Sequence, residues 1–198
     1  KVQIAIIGAG PGGLSAAARA AELKVSHVLI EASDHLADTI YKYQKRKHVM
    51  AEPGVLPLRS PLPFAAGTRE VILDGWDESI AKLGVNVRHR AAVTAITGAA
   101  PAFEIALAGG DKISAEAIVL GIGVQGNLRK LGVTGEDLPF VQYQLDDPGE
   151  YEGETIVIVG AGDAAIENAL ALAVQNRVVM INRNEEFARC KEGNLKAV

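Results

Sequence analysis

The chain has 198 residues, 48% of them hydrophobic, with 20 Lys+Arg against 24 Asp+Glu and a formal net charge of -4. That balance argues against nucleic acid as the main partner, because phosphate binding needs a basic face. The single cysteine excludes a disulfide framework, a Cys-x-x-Cys pair and an all-cysteine metal site.

Residues 2–7 form an apolar run of the kind a central parallel strand shows. The chain therefore opens on a strand rather than on a signal peptide. No window approaches 18 uncharged apolar residues, so no transmembrane helix is expected, and a cytoplasmic setting follows. After Gly8-Ala9-Gly10-Pro11-Gly12-Gly13, residues 14–23 read as a helix of small residues. His27-Val28-Leu29-Ile30 is a second strand, ending at Glu31. Between Ser33 and Gly67 the pattern weakens, and Pro53, Pro57, Pro61 and Pro63 predict loops with short helical pieces. Residues 68–83 predict a helix with Ile72, Trp76, Ile80 and Leu83 on one face, stopped by Gly84. On that face Trp76 is a core residue. From Val85 to Ser114 short strands with turns at Gly98 and Gly109-Gly110 read as a β-meander. Ala117-Ile118-Val119-Leu120 reads as a further buried strand, closed by Gly121-Ile122-Gly123. Residues 124–154 read as a crossing segment between domains. The opening pattern then repeats, with strand 155–159, Gly160-Ala161-Gly162, a helix from Asp163 to Val174 and strand 178–181.

The 21 glycines need a reason, because glycine costs backbone entropy wherever it is not required. The first loop fits G-x-G-x-x-G at Gly8, Gly10 and Gly13. Gly8 lets the chain turn off its strand, Gly10 lets a pyrophosphate approach the backbone, and Gly13 lets the helix pack on the strand. The helix N-terminus adds free N–H groups and the positive end of its dipole. Glu31 stands where an acidic side chain accepts hydrogen bonds from ribose hydroxyls. The second loop, Gly160-Ala161-Gly162-Asp163-Ala164-Ala165, has Ala165 as an accepted substitute for the third glycine. Its second strand ends in Asn182-Arg183-Asn184, without an acid. Arg183 suits a 2′-phosphate and favours NADP over NAD, with Arg189 as a further contributor. Two such loops in one chain point to two dinucleotides, with hydride passing from NAD(P)H to FAD.

With these motifs the chain resembles the FAD-dependent pyridine nucleotide-disulfide oxidoreductases of the low-molecular-weight thioredoxin reductase type. The resemblance is carried by the first loop with Glu31, by Ala117-Ile118-Val119-Leu120-Gly121-Ile122-Gly123, by Leu131-Gly132-Val133-Thr134-Gly135-Glu136, and by Gly160-Ala161-Gly162-Asp163-Ala164-Ala165-Ile166-Glu167. It implies an α/β, Rossmann-like FAD/NAD(P)-binding fold of two βαβ units with a β-meander in the first. Residues 1–120 would be the first segment of a discontinuous FAD domain, and 121–198 the start of an inserted NAD(P) domain. A fragment of a longer protein, dimeric at full length and holding FAD poorly as this piece, is the corresponding expectation. The resemblance further implies that Gly8, Gly10, Pro11, Gly12, Gly13 and Glu31 meet the FAD pyrophosphate and ribose, with the adenine near Val93 and with Gly121 and Gly123 passing close. Gly160, Gly162, Asp163, Ala164, Ala165, Glu167 and Arg183 would serve NADPH. The family's Cys-x-x-Cys is absent from Val141-Gln142-Tyr143-Gln144-Leu145-Asp146-Asp147-Pro148. The chain is therefore similar to disulfide-free relatives such as the thioredoxin-reductase-like ferredoxin–NADP reductases. Thr68-Arg69-Glu70 is also similar to bacillithiol-disulfide-reductase-like flavoproteins.

The expected activity is a flavin-dependent oxidoreductase that passes electrons to a small-molecule or electron-carrier protein acceptor. The alternatives are a non-catalytic dinucleotide-binding module and a flavin monooxygenase. No side-chain nucleophile is required, and no catalytic residue is assigned. His27, His35, His48 and His89 lack metal-ligand spacing, and Cys190 reads as a bystander thiol. The basic run Lys42-Tyr43-Gln44-Lys45-Arg46-Lys47-His48 reads as a solvated face, with phosphate or an acidic partner as the alternative.

Overall fold

The computed structural model describes residues 1–50, 58–124, 130–183, 190 and 192–196. Pro53, Pro57, Asn184 and Arg189 lie outside these residues. Two compact units emerge, Lys1–Asp137 and Leu138–Val198.

In the first unit the chain runs β1 (Val2–Ile7), α1 (Pro11–Glu22), β2 (His27–Ile30), α2 (Asp38–Tyr41), β3 (His48–Val49), β4 (Gly67–Thr68), α3 (Arg69–Leu83), β5 (Val87–Arg88), β6 (Val93–Ala99), β7 (Ala102–Leu107) and β8 (Lys112–Leu120). A six-stranded sheet has the order β5-β2-β1-β8-β7-β6. Strands β5, β2, β1 and β8 are parallel, and β8, β7 and β6 antiparallel. The continuous apolar runs of β1 and β2 are explained by burial on both faces. Ile6 and Leu29 pack with Leu14, Ala17, Ile72, Trp76 and Ile80 of α1 and α3. Their neighbours Ala5, Ile7, Val28 and Ile30 point the other way, onto Ala91, Ile105, Leu107 and Ala115. Burying such an Ile or Leu side chain is worth about 1.5–3 kcal/mol.

Helix α3 forms as its periodicity predicts. Thr68 caps it by accepting a hydrogen bond from the Val71 N–H, and Gly84 ends it in the left-handed region. Trp76 is buried and donates its indole N–H to the Pro63 carbonyl at 2.8 Å, which satisfies its polar edge.

Three details differ from the expectation. The meander is confined to β6–β8, whereas β5 joins the parallel edge. Asn86 holds it there, its side-chain amide donating to the His27 carbonyl and its own carbonyl accepting from the Leu29 N–H. Residues 117–120 are the second half of β8, and they are not buried: Leu120 is 62% exposed. On one edge β8 pairs with β1 through 115–120, but on the other with β7 only through 112–115. The β3–β4 pairing was not predicted, because two-residue strands show no alternation to read.

The second unit contains a 3-10 turn at Pro148–Glu150, β9 (Thr155–Val159), α4 (Asp163–Leu172), β10 (Arg177–Ile181) and α5 (Glu192–Leu195). Strands β9 and β10 pair in parallel. Ile166, Ala169 and Leu172 form the buried stripe of α4, while Val157, Val159, Val179 and Ile181 are exposed.

Candidate functional site

The first glycine loop joins β1 to α1. The Gly8 N–H donates to the Ile30 carbonyl and the Gly121 N–H to the Ile7 carbonyl, so the ends of β2, β1 and β8 meet at the loop. The backbones are in close contact there. A Cβ on Gly13 would lie 1.8 Å from the Gly8 carbonyl oxygen, one on Gly8 2.6 Å from the Gly121 oxygen, and one on Gly121 3.0 Å from the Gly13 backbone. Gly121 thus completes a three-way glycine junction with Gly8 and Gly13. Gly12 differs, because nothing lies within 4 Å of where its Cβ would be. Gly10 occupies the N-cap of α1 without a side-chain cap, Pro11 follows, and no acid stands in the first turn. The N-terminal N–H groups of α1 therefore have no side-chain cap and lie at the positive end of the helix dipole, an arrangement that suits an anion. Gly123 has φ +65 and open space around it.

Glu31 is buried. One carboxylate oxygen accepts from the Ala9 N–H at 2.7 Å and the other from the Ser33 N–H at 2.8 Å. It therefore ties the glycine loop to the segment after β2 and keeps further lone pairs for hydroxyl donors. Ala37, at the N-cap of α2, donates its N–H to the Ala9 carbonyl. Around this segment His35 lies between Asp34 and Asp38, 2.9 Å from each, and stacks on Tyr41. Hydrogen bonds from His35 and then Arg90 hold the Asp34 carboxyl below its ordinary value. Burial would push Asp38 up, but hydrogen bonds from Lys42 and His35 outweigh it and hold Asp38 low. Val93 begins β6 and packs on the cluster that contains Ile30 and Ala91.

The second loop is looser. The Gly160 N–H donates to the Ile181 carbonyl, and a Cβ on Gly160 would sit 3.9 Å from the Ala165 Cβ, an ordinary contact. Alanine stands as the third residue here. Gly162 caps α4 with open space around it. Asp163 stands in the first turn, unlike anything in the first loop. The Asn194 side-chain amide donates to Asp163 at 2.8 Å and to Glu167 at 3.3 Å. Ala164 and Arg183 are exposed, Arg183 directly after β10.

The first unit thus brings Gly8, Gly10, Pro11, Gly12, Gly13, Glu31, Gly121 and Gly123 to the ends of parallel strands, with Val93 on the meander side. The second unit brings Gly160, Gly162, Asp163, Ala164, Ala165, Glu167 and Arg183 to the equivalent end of β9 and β10. Sequence reasoning missed Ala9, Ser33, Ala37 and Asn194, whose backbone or amide groups bond the motif residues. Ala9 lies inside the first fingerprint but acts through its backbone, and the other three carry no type or spacing signal. Among the described residues no group of three His, Cys, Asp or Glu is placed to hold a metal. No helix among them is long and apolar enough to cross a membrane.

The family model described as pyridine nucleotide-disulphide oxidoreductase matches residues 5–197. A ferredoxin–NADP reductase of Ignicoccus hospitalis is 30% identical over 184 residues, which cover 92% of this chain and 56% of the relative. The chain thus spans little more than half the length of that relative. A bacillithiol disulfide reductase structure from Staphylococcus aureus aligns with TM-score 0.83 at 24% identity, covering 99% of this chain and 62% of that one. A thioredoxin reductase from Lactococcus lactis aligns with TM-score 0.75 at 21% identity, covering 100% and 61%. These two likenesses establish the fold.

Proposed function

The chain belongs to the pyridine nucleotide-disulphide oxidoreductase family, and on that premise we propose that it is part of an NAD(P)H-dependent FAD oxidoreductase. In this reading residues 1–120 form the first segment of the FAD domain and 121–198 the start of the NAD(P) domain. The observation that carries it is the pair of strand–glycine–helix loops, the first with an uncapped helix end beside a buried carboxylate. The resemblance to a ferredoxin–NADP reductase supports a one-electron carrier protein as acceptor. Within this chain the lone cysteine leaves no internal dithiol to serve as relay.

When bound, the flavin supplies the exchange between a two-electron hydride donor and an acceptor. The residues position and hold. The N–H groups of Gly12 and Gly13 and the dipole of α1 bind the pyrophosphate of FAD, while Gly8, Gly10, Pro11 and Gly121 keep the backbone close enough for it. Glu31 accepts from ribose hydroxyls, Val93 flanks the adenine, and Gly123 gives room beside the cofactor. In the second unit Gly160, Gly162, Ala164 and Ala165 shape the pyrophosphate loop of NADP. Arg183 pairs with the 2′-phosphate, and Asn194 holds Asp163 and Glu167 to one side. One NADPH gives up two electrons and reduces two one-electron carriers, releasing NADP+ and one proton. A cytoplasmic homodimer at full length completes the proposal.

The test is spectroscopic. Intact protein loaded with flavin is titrated anaerobically with NADPH, and the flavin absorbance is expected to bleach. Flavin that stays oxidised, or protein that binds no flavin, sinks this reading.

A further inference from the structure

Both backbone groups of Ala9, inside the first glycine loop, are taken by one segment of chain. The Ala9 N–H donates to the Glu31 carboxylate, and its carbonyl accepts from the Ala37 N–H. Residues 31–37 thus form a strap that leaves β2, crosses the loop and enters α2. Ala37 is fully buried and held in the left-handed region, at φ 51 and ψ 45. A non-glycine residue stays in that conformation only where its surroundings impose it.

The hold lies in the middle of the strap. His35 Nδ1 is 2.9 Å from an Asp34 carboxylate oxygen, and Nε2 is 2.9 Å from an Asp38 oxygen. An ionised carboxylate accepts and does not donate, so both ring nitrogens donate, and only the protonated imidazole carries two N–H groups. The His35 side chain is 25% exposed, and the Tyr41 ring covers one face at a centroid distance of 3.7 Å. Asp34 also accepts from Arg90, which follows β5, at 3.2 Å. Asp38 also accepts from Ser33 Oγ at 3.3 Å and pairs with Lys42 at 2.8 Å. From α3, the Arg69 guanidinium lies 5.2 Å over the Tyr41 ring. Asp77 of α3 and His89, next to β5, line a groove together with Asp34 and His35. The two groups bonded to the imidazole are both anions.

We propose that His35 is a positioning residue. Its charged imidazole, bridging Asp34 and Asp38, holds the strap on the glycine loop and sets how tightly the adenosine half of FAD is kept. This rests on the flavoprotein reading above, in which Glu31 at the head of the strap accepts from the ribose. A neutral imidazole has one N–H. One carboxylate then faces a lone pair, the bridge opens, and Ala37 loses part of what imposes its conformation. An imidazole changes charge between about pH 5 and pH 8. The hold is therefore present at the acid end of that range and lost toward the alkaline end.

The experiment strips the intact protein of flavin and titrates it with FAD at about pH 5.5 and about pH 8.5, on either side of that range. The wild-type dissociation constant is expected to rise about three- to tenfold across the interval, the scale of a partly exposed charged hydrogen bond. In His35→Gln, which has no proton to lose there, it should be equal at both pH values and match alkaline wild type. Asp34→Asn, at an exposed position, keeps an acceptor without the charge and should shrink the pH dependence. His89→Gln should retain it, because His89 lines the groove and takes no part in the bridge. Saturating FAD should restore the wild-type rate of reduction by NADPH in His35→Gln, since affinity alone is affected. A wild-type dissociation constant that does not change with pH, a pH dependence that survives in His35→Gln, or a rate that saturating FAD does not restore overturns the proposal. An undiminished pH dependence in Asp34→Asn does so even where His35→Gln fails to fold. Intact wild type that binds no FAD at either pH refutes the flavoprotein reading itself, and this role with it.

Discussion

The carbonyl oxygen of Gly8 occupies the space where a Cβ on Gly13 would be, 1.8 Å away. The obstacle is backbone on both sides, so no rotamer change relieves it. Gly13→Ala must push α1 off β1, and overpacking of this kind costs about 1–3 kcal/mol or more. The converse change, Ala165→Gly, adds no atom and removes one half-buried methyl, and should cost no more than about 1 kcal/mol, from backbone entropy. Urea denaturation of both variants gives the comparison. Equal destabilisation would mean that the two loops are packed alike.

Glu31 joins Ala9 and Ser33 through two hydrogen bonds in a buried setting. Glu31→Ala leaves two N–H donors without a partner, at about 1–3 kcal/mol each where water does not replace it. Glu31→Gln keeps one acceptor oxygen and should lose less. On the proposed function both variants also bind less flavin, read as the flavin-to-protein absorbance ratio of the intact protein. Variants that unfold no sooner than wild type would show that the bridge is dispensable.

Arg183 stands exposed directly after β10. If it pairs with a 2′-phosphate, Arg183→Ala removes a charged hydrogen bond worth about 1.5–3 kcal/mol. That is a rise in the NADPH KM of about 10-fold to 100-fold, with the NADH KM unchanged. Equal losses with both nucleotides would place Arg183 elsewhere in the mechanism.

Acid stability divides by sign. Asp34, Asp38 and Glu70 have lowered carboxyl pKa values. Their contribution is present above the unfolded carboxylate range, near about 4, and is lost as pH falls through the folded values below it. Asp77 is the opposite case. Burial, and then the nearby Asp74 charge, raise it, so its ionisation opposes folding at neutral pH and protonation relieves that cost. Asp77→Asn should therefore raise the melting temperature at pH 7 and lose that advantage below about pH 4. A melting curve for the variant that tracks wild type at every pH would contradict it.

Much of the architecture is legible in the residues themselves. The apolar runs of β1 and β2, the amphipathic face of α3 with its Thr68 and Gly84 ends, and the two glycine loops are local patterns, and local sterics and periodicity suffice to read them. So are the roles of Gly8 and Gly13, which the fingerprint assigns from spacing alone. What the tertiary structure decided is relational. It put Gly121, more than a hundred positions away, into the same junction, and it showed that the Glu31 carboxylate is already bonded to Ala9 and Ser33. It also took Val87–Arg88 out of the meander and joined Lys112 to Leu120 in one strand. And it tied the basic run to the start of α3 through Arg69 and Glu70. Periodicity and propensity act over a few neighbouring residues. Backbone close approach, strand pairing and bridging carboxylates join residues far apart in sequence, so the packed chain alone determines them.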